Sequence, residues 1–388
     1  DWVAEAVVER LDVKQDLYHR LNKCCKASAI ITSNTSTIPI KLLTEGMPRE
    51  FCERFAITHF FNPVRFMRLL ELVRGEHTKN DVVDTLAMFS ELQLGKGVVL
   101  CADTPGFLAN RVGVFAIQCA LHNAFDLGLA PTEADAFFGR PLGFPKTGVF
   151  GLYDLIGIDL MVDVVKSLVN ILPANDAFHQ YSAPIDFMTN MISNGQTGNK
   201  NNKGFYRDDG EERQVISLVN GDYIPYERLR APLVEKAERE GISTLLNDNG
   251  RFGLYVWRAL SETLCYAASL VPEVTEDLTQ IDDAMKLGYN WVKGPFELLD
   301  EIGVEYFIDR LQKDGREVPS FLTRGLENGF YTDKKTGLSS LDANGFFFPI
   351  VRPKGVLRFS EIRQTLSSIS SNRSASWYEY EGAAIVEF

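Results

Sequence analysis

The sequence has no surplus of positive charge: 40 Lys and Arg residues are outnumbered by 52 Asp and Glu residues, for a net charge of −12 over 388 residues. Nonspecific binding to nucleic acid or to an anionic membrane surface is therefore disfavoured, because few free cations are left to neutralise phosphates. A local basic pocket for one phosphorylated ligand is still compatible with this charge. With 45% hydrophobic residues, the chain can bury a large core and is long enough for two or three domains.

Cysteine is scarce, and its spacing is irregular. The six cysteines are Cys24, Cys25, Cys52, Cys101, Cys119 and Cys265. None of them shows the spacing of metal ligands, and an adjacent pair is a poor start for a disulfide framework. We therefore predict no metal site and a cytoplasmic location, where thiols stay reduced.

The sequence also lacks an apolar run suited to a membrane span. Its most apolar long segment, residues 106–128, carries Asn110, Arg111 and His122. The bilayer core disfavours that polar load, so we predict a buried helix here and no membrane span. The chain opens at Asp1 with neither a Met nor a signal peptide, in a strand-like segment, and we expect this start to lie within a domain.

The first 105 residues alternate strand-like and helix-like segments, which predicts an α/β sheet layer. The strand-like segments are residues 2–8, 29–34, 55–61, 69–75 and 97–103. The helix-like segments are residues 10–25, 40–45 and 79–93. Only about seven residues link the third strand to the fourth, whereas a parallel crossover needs roughly a dozen. These two strands, with His59 on one and Glu71 on the other, are therefore expected to be antiparallel, in a register that the sequence leaves open.

Long amphipathic helices follow the α/β segment. We predict a first helical block over residues 106–207, a charged connector over 208–223 and a second helical block over 224–332. The remaining residues, 333–388, form a Gly- and Ser-rich tail that ends in an apparent strand.

The two helical blocks share sequence patterns. An Asp-x-Ile-Gly segment occurs at residues 154–157 and again at 300–303, and a Gly-Phe-Tyr segment follows in each block, within residues 203–206 and 328–331. This repetition predicts a duplicated helical domain. The alternative is that two helix bundles converged on similar patterns.

A histidine and a carboxylate lie on the two strands that are expected to pair. Taken alone, His59 is more often a satisfied core histidine, and Glu71 an ordinary strand carboxylate. However, Ser36 follows a buried strand, at the end where ligands bind in open α/β sheets, and Asn110 opens the helix after the sheet. Helix capping and interdomain packing would also explain these two residues. Together the four suit proton exchange with a hydroxyl or carbonyl group, with the carboxylate fixing the tautomer of the histidine.

These residues and their flanking segments, "SNTSTI", "THFFNPVRFMRLLELVRG" and "GKGVVLCADTPGFLANR", resemble the 3-hydroxyacyl-CoA dehydrogenase family of fatty-acid β-oxidation. The resemblance covers about residues 1–207, and the second helical block is similar to a repeated C-terminal domain of that family. It implies NAD-dependent oxidation of an (S)-3-hydroxyacyl-CoA substrate to 3-oxoacyl-CoA. In that reaction His59 would be the acid/base, and Glu71 would orient and charge it. Ser36 and Asn110 would bind the 3-oxygen.

The resemblance also implies a fold and a cofactor. The fold would be α/β plus all-α, with the C-terminal half of a Rossmann-like dinucleotide-binding domain over residues 1–105 followed by two tandem helical C-terminal domains. The cofactor would be NAD. The residues that match positions near its nicotinamide and ribose are Glu9, Lys14, Ser36 and Asn62, and Lys200 matches a late lysine that reaches back to the cofactor.

One part of the family's pattern is missing, because no G-x-G-x-x-G turn occurs in the sequence to cradle a diphosphate. The resemblance therefore predicts a nucleotide-binding domain that begins upstream of Asp1, and weak NAD binding by these 388 residues. It also implies an internal pseudo-dimer of the two helical domains and, from residues 374–388, a fused enoyl-CoA hydratase domain. The competing interpretations are a related β-hydroxyacid dehydrogenase acting on a free acid, and a non-catalytic assembly module.

Overall fold

The structure is a computed structural model that describes residues 1–210, 212–227, 229, 231–334, 337–352, 355–363, 366–372 and 374–387. Parts of the predicted connector, second helical block and tail lie outside the described residues, namely residues 211, 228, 230, 335–336, 353–354, 364–365, 373 and 388. The chain folds as an α/β region followed by helices and by three small antiparallel sheets.

Five strands form the main sheet, in the order β1 (Trp2–Glu5), β2 (Ile30–Ser33), β3 (Phe55–Phe60), β4 (Leu69–Arg74) and β5 (Gly97–Cys101). Strands β1, β2 and β3 are parallel, β4 is antiparallel to β3, and β5 is parallel to β4. The antiparallel pairing predicted from the short link is confirmed. Its register places His59 directly opposite Glu71.

Helices cover both faces of this sheet: α1 (Leu11–Cys24), α2 (Ile40–Leu43), α3 (Arg49–Cys52) and α4 (Asn80–Leu92). Because side chains alternate along β3, Phe55 and Ile57 enter the main core, while Ala56 packs on the other face, in the cluster that contains Leu86 of α4. The three predicted helices are confirmed. Helix α3, a single helical turn, is not among the predicted helices.

Helices dominate after the sheet, as predicted. The first helical block contains α5 (Ala109–Asp126), α6 (Pro131–Phe137), α7 (Phe150–Ile156), α8 (Ile158–Ile171) and α9 (Asp186–Ser193). The second contains α10 (Pro232–Glu240), α11 (Ser243–Leu246), α12 (Arg251–Ser269), α13 (Leu278–Gly288), α14 (Pro295–Ile302) and α15 (Val304–Lys313). Short 3₁₀ turns occur at Arg140–Leu142, Ala177–Tyr181, Asn199–Asn201 and Ser320–Gly325. Within the described ranges, no helix combines the length and the apolar character needed to cross a membrane.

The predicted connector is largely a small antiparallel sheet. Its strands are β6 (Tyr206–Asp208), β7 (Arg213–Ile216) and β8 (Tyr223–Pro225). Val215 and Ile216 are buried, and the Arg213 guanidinium carbon lies 4.8 Å from the centroid of the Tyr226 ring. The sequence does not predict this sheet, because its strands are short and carry few apolar residues.

The tail forms two further sheets and one short helix. The elements are β9 (Tyr331–Lys334), β10 (Gly337–Leu341), β11 (Phe347–Pro349), α16 (Phe359–Ile362), β12 (Ser370–Ser371), β13 (Ser376–Tyr380) and β14 (Ala383–Glu387). The strand predicted at the end of the sequence is confirmed as β14, which pairs with β13 in a hairpin. Arg352 contacts the buried Asp283 of α13 at 3.0 Å, and Arg358 pairs with the same carboxylate. These ion pairs fasten the tail to the second helical block.

One hydrogen-bond arrangement occurs in both helical blocks. In the first, Asp135 accepts three backbone N–H groups at the start of α7 and the Tyr206 hydroxyl at 2.8 Å. In the second, Asp282 accepts two backbone N–H groups at the start of α14 and the Tyr331 hydroxyl at 2.8 Å. Burial raises the pKa of Asp135 to about 7 and the pKa of Asp282 well above its usual range. Each aspartate thus joins a helix to a Gly-Phe-Tyr segment.

A second pair of aspartates occupies matching places. Asp154 accepts two backbone N–H groups of the first Gly-Phe-Tyr segment, at 2.8 and 2.7 Å. Asp300 accepts the corresponding groups of the second, at 2.8 and 2.9 Å. Gly157 and Gly303 then turn the chain into the next helix with φ of +111° and +90°, a region that favours glycine.

The long helices α5 and α12 pack against each other and join the two blocks. Phe115 of α5 stacks on Tyr266 of α12 with 4.2 Å between ring centroids. Nearby, the Cys119 thiol lies 3.7 Å from the Ala259 carbonyl oxygen. The helices are therefore in direct contact along buried side chains.

Candidate active site

His59 and Glu71 occupy opposite positions on β3 and β4. Directly opposed residues of an antiparallel pair point to the same face of the sheet, so their side chains meet. The His59 Nδ1 atom lies 2.7 Å from the Glu71 Oε2 atom. The two side chains are therefore in contact, and both are buried.

Glu71 is fully enclosed, and hydrogen-bond donors surround its second oxygen. Oε1 accepts the backbone N–H of Leu108 at 3.0 Å and that of Ala109 at 2.7 Å, at the start of α5. The Cys101 thiol lies 3.8 Å from the same oxygen, and burial, together with the Glu71 charge, raises the pKa of this thiol well above its usual range. These donors and the helix N-terminus compensate for burial of the carboxylate and leave Oε2 to the histidine.

The His59 ring packs against two phenylalanines, with 5.1 Å to the Phe61 centroid and 5.8 Å to the Phe107 centroid. Its Nδ1 atom is committed to Glu71, whereas Nε2 has no hydrogen-bond partner among the described residues. A hydrogen bond from Nδ1–H to a carboxylate fixes the tautomer that carries a lone pair on Nε2. His59 also lines a cavity, so this lone pair is available to take a proton from a ligand.

Asn110 and Ser36 differ in their relation to this pair, because Ser36, in the loop after β2, does not line the cavity beside His59. Asn110 lies in the first turn of α5 and lines the same cavity as His59. The loop that carries Ser36 is tied to β3, because the Asn34 side chain accepts the Phe60 backbone N–H at 2.9 Å. In the part of the chain that the structure describes, neither the Ser36 hydroxyl nor the Asn110 amide has a hydrogen-bond partner.

Helix capping does not account for Ser36 or Asn110. The backbone N–H of Ile40, at the start of α2, donates to Asp103 at 2.9 Å. The start of α5 is held by Glu71 from the sheet. Both polar side chains are therefore free to meet a ligand.

Three of the predicted cofactor-binding residues, Glu9, Lys14 and Ser36, meet at the carboxyl ends of β1 and β2. The buried Lys14 ammonium lies 3.3 Å from the Glu9 carboxylate. Glu9 in turn accepts the Ser36 backbone N–H at 3.2 Å and the Thr37 hydroxyl at 3.0 Å. This cluster lies at the edge where ligands bind in open α/β sheets.

A buried network behind the cluster is missed by sequence reasoning. Glu5 accepts hydrogen bonds from Lys14 at 2.8 Å, from Tyr18 at 2.5 Å and from Ser33 at 2.8 Å. Burial opposes the ionisation of Glu5, but these donors outweigh it and lower the pKa of Glu5. The sequence does contain a signal for this network. Glu5 is a carboxylate at the end of an apolar strand, where a buried charge without partners would be unfavourable, so hydrogen-bond donors should surround it.

The remaining cofactor candidates, Asn62 and Lys200, are placed apart from each other. Asn62 follows β3 and lines the cavity next to His59. Lys200 pairs with Asp159 at 2.5 Å and does not line the cavity. The structure therefore brings Asn62, but not Lys200, together with the histidine.

The cavity beside His59 has a volume of about 690 Å³ and is mostly apolar. Both helical blocks line it, with residues that include Phe144, Met161, Tyr289 and Trp291. Asn62 and Asn110 supply polar groups at the His59 end. A largely apolar pocket with a few convergent polar groups is typical of a small-molecule site.

The residues of the site can be compared with those needed to bind a metal ion or a dinucleotide. The described residues contain no group of three or more His, Cys, Asp and Glu side chains suited to a metal ion. The cluster fits the ribose and nicotinamide end of a dinucleotide through the Glu9 carboxylate and the Ser36 hydroxyl group, which lie at the carboxyl edge of the sheet. The Lys14 ammonium is buried and pairs with Glu5 and Glu9, so it supports this carboxylate from behind. The sequence has no G-x-G-x-x-G turn for the diphosphate.

The structure thus combines a partly parallel α/β sheet, a histidine–carboxylate pair and an apolar cavity shared with the helices. The family model described as "3-hydroxyacyl-CoA dehydrogenase, NAD binding domain" matches residues 1–104. The model described as the C-terminal domain of the same enzyme matches residues 106–208 and 253–333. The chain belongs to the 3-hydroxyacyl-CoA dehydrogenase family, with a Rossmann-like NAD-binding domain and a helical C-terminal domain.

Two relatives in this family are longer than the chain. A Rickettsia prowazekii protein named as a fatty acid oxidation complex trifunctional enzyme is 40% identical over 301 residues, which are 76% of this chain and 41% of that protein. A Bacillus subtilis protein named "Probable 3-hydroxyacyl-CoA dehydrogenase" is 31% identical over 397 residues, covering 100% of this chain and 50% of that protein. The chain thus spans half the length of these relatives, or less.

Solved structures share the fold. The 3-hydroxybutyryl-CoA dehydrogenase of Escherichia coli K12 resembles the chain with a TM-score of 0.62 at 24% identity, over 84% of this chain and 81% of that one. The dehydrogenase part of multifunctional enzyme 1 from C. elegans gives a TM-score of 0.52 at 20% identity, over 83% and 71%. At these identities the likeness establishes the fold.

Proposed function

We propose that this protein catalyses the NAD-dependent oxidation of (S)-3-hydroxyacyl-CoA to 3-oxoacyl-CoA in fatty-acid β-oxidation. The observation that carries the proposal is the contact between His59 and Glu71, 2.7 Å from Nδ1 to Oε2, with Nε2 unpaired among the described residues beside an apolar cavity. The names of the relatives agree with this activity. An acyl chain suits the apolar lining of the cavity.

His59 is the acid/base of this reaction. Its Nε2 lone pair takes the proton of the 3-hydroxyl group as that oxygen becomes a carbonyl, and it returns the proton in the reverse direction. Glu71 fixes the tautomer and stabilises the imidazolium, because its carboxylate stays hydrogen-bonded to Nδ1. Ser36 and Asn110 supply the hydrogen-bond donors that hold the 3-oxygen.

When bound, NAD supplies the acceptor for the hydride that leaves C3 of the substrate. Glu9, Lys14 and Ser36 would hold its ribose and nicotinamide from the carboxyl edge of the sheet, together with Asn62 at the end of β3. Lys200, whose ammonium pairs with Asp159, belongs to the same proposed set.

We infer five parts in the chain. Residues 1–105 are the part of the NAD-binding domain that lacks the glycine-rich turn, 106–207 and 224–332 are two copies of the helical domain, 208–223 connect them, and 333–388 are the tail. The repeated aspartate arrangement and the double match of the C-terminal family model support the duplication. The packing of α5 on α12 supports an internal pseudo-dimer of the two copies.

We further propose that the dehydrogenase works beside an enoyl-CoA hydratase domain in one polypeptide. A relative is named as trifunctional, which supports such a fusion. The chemistry also fits, because hydration of an enoyl-CoA gives the 3-hydroxyacyl-CoA that the dehydrogenase consumes. The six free cysteines support a location in the reducing cytoplasm.

An assay of substrate range tests the proposed activity. The protein is incubated with NAD and an (S)-3-hydroxyacyl-CoA, its (R) enantiomer or the free 3-hydroxy acid, and NADH formation is followed. We expect turnover with the (S) thioester alone. Turnover of the free acid would favour a related β-hydroxyacid dehydrogenase. No turnover of any substrate at NAD concentrations where calorimetry shows NAD to be bound would favour a non-catalytic assembly module.

A further inference from the structure

The cavity beside His59 is walled by both helical blocks. Phe144 and Met161 line it from the first block, and Tyr289 and Trp291 line it from the second. Trp291 and Phe144 are only 7% and 6% exposed, so their rings are fixed parts of the interior. The second block, which has no counterpart of His59, therefore shapes the space next to the acid/base.

The wall is formed where the loop before α7 meets the loop before α14. The Phe144 and Trp291 rings stack with 4.0 Å between centroids and an interplanar angle of 27°. Beside them, the Val292 backbone N–H donates to the Gly143 carbonyl at 2.8 Å. A ring stack closed by a backbone hydrogen bond makes a rigid boundary for a ligand.

Tyr289 brings the second block to the His59 end of the cavity. Its ring lies 6.1 Å from the Phe61 ring, which lies 5.1 Å from the His59 ring. The phenol rests on Gly113 of α5, where a Cβ atom would lie 2.0 Å from the Tyr289 Cζ atom. Gly113 is about one helical turn beyond Asn110, so Tyr289 lies within a turn of the side chain proposed to hold the 3-oxygen.

We propose that Tyr289 and Trp291 determine the length of acyl chain that the protein accepts. The proposal rests on the proposed function, because the acyl chain is attached to the carbon whose hydroxyl group His59 serves. A chain anchored at His59 runs past Tyr289 and ends against the stack of Phe144 and Trp291. The second helical block thereby acts on substrate choice without contributing to proton transfer.

Substrates of two lengths test the wall. We would measure kcat/KM for (S)-3-hydroxybutyryl-CoA and (S)-3-hydroxydecanoyl-CoA in Tyr289→Ala, Trp291→Ala and Phe144→Ala. The ratio of decanoyl to butyryl kcat/KM should rise by about tenfold or more over wild type, because space for further methylenes in an apolar pocket is worth that much. Since both rates are measured on one preparation, partial unfolding leaves the ratio unchanged.

Tyr306→Ala is the matched control, because Tyr306 lies in the same block and is 40% exposed. Its ratio should equal that of wild type. Trp291→Phe keeps most of the ring and should change the ratio less than Trp291→Ala. Ratios within about twofold of wild type in all three cavity variants would overturn the proposal.

Binding distinguishes a failure of this proposal from a failure of the proposed function. Butyryl-CoA and decanoyl-CoA lack the 3-hydroxyl group, and calorimetry gives their affinities for the same variants. If wild type oxidises no 3-hydroxyacyl-CoA, the proposed function fails. In that case, a shift of the affinity ratio towards decanoyl-CoA in Trp291→Ala would still support a limit on acyl chain length set by Trp291. An unchanged affinity ratio would overturn that limit, whatever the activity.

Discussion

The two helical blocks differ in what holds the start of their longest helix. In the first block, the Glu71 carboxylate reaches from the sheet to the backbone N–H groups at the start of α5, and Asn110 in the first turn lines the cavity. In the second block, Asp248 accepts the N–H groups of Gly250 and Gly253 at the start of α12, both at 3.1 Å. The start of α5 is therefore held by a residue of a distant strand, and the start of α12 by a residue a few positions before it in the sequence.

This difference distinguishes the hydrogen bonds that hold the helices in both blocks from the proposed reactive groups, which lie beside the first block. The aspartates that join helices to Gly-Phe-Tyr segments are present in both blocks and hold the helices in place. Among the described residues, a carboxylate that holds a long helix and also contacts a histidine is found where α5 packs on the sheet and not at α12. In the proposed duplication the site is not repeated with the helical domain, and the second block lines the cavity with Tyr289 and Trp291.

Among the changes that compare the two blocks, the largest effect is expected from Glu71→Gln. We expect kcat to fall by roughly 10²-fold or more, because an amide cannot stabilise the imidazolium with a full charge. The matched change at the other helix start, Asp248→Asn, should leave kcat within about twofold of wild type. Steady-state kinetics at saturating NAD measures both. Equal losses of kcat in the two variants would mean that the carboxylates at the two helix starts do not differ in their role in the reaction.

The shared framework predicts matched losses of stability. Asp135→Ala and Asp282→Ala each leave buried donors without an acceptor, so the free energy of unfolding should fall by about 2–4 kcal/mol in each. Chemical denaturation followed by circular dichroism measures the loss. A large loss in one variant and none in the other would mean that the two arrangements are not equivalent.

Asn110, the proposed site residue of the first block, has no equivalent in the second block. Its removal should lower the reaction rate and leave the stability of the fold unchanged. Asn110→Ala should lower kcat/KM roughly tenfold, about 1.4 kcal/mol, because one donor to the 3-oxygen is lost. Asn80→Ala is the control, since Asn80 is exposed in the first turn of α4. An Asn110→Ala enzyme as fast as the control would remove Asn110 from the site.

The smallest effect concerns pH. Burial raises the pKa of Asp135 to about 7, so the folded state keeps a proton that the unfolded state loses at about pH 4. This contribution to the free energy of unfolding is fully present below about pH 4 and is lost as the pH rises towards 7. Asp135→Asn has no such proton, so its stability should decline less steeply, by up to about 1.4 kcal/mol per pH unit. Denaturation at about pH 5 and about pH 6 compares the slopes, and parallel slopes would contradict this assignment.

Local patterns in the sequence predict much of the sheet and the central pair of the site. Alternating and apolar runs locate the five strands, and the short link after β3 dictates the antiparallel pairing. That pairing puts His59 and Glu71 on neighbouring strands, whereas the register that sets them opposite each other is known only from the structure. Conversely, the one-turn helix α3 and the sheet of β6, β7 and β8 escape prediction, because short elements carry little periodicity.

Contacts between distant segments are beyond such patterns. The hydrogen bonds from the start of α5 to Glu71 join residues 37 and 38 positions apart. The contribution of Tyr289 and Trp291 to the cavity joins segments more than 200 residues apart, as Tyr289 packs on Phe61. Such contacts depend on how whole helices pack, and no local propensity encodes them.

The most direct test of the central claim, that His59 exchanges the proton of the 3-hydroxyl group, is the kcat of His59→Gln. Glutamine cannot take up that proton, so kcat should fall by roughly 10²–10⁴-fold with little change in the affinity for NAD. His77→Gln, at an exposed histidine outside the site, should match wild type. A His59→Gln enzyme that turns over as fast as His77→Gln would contradict the account.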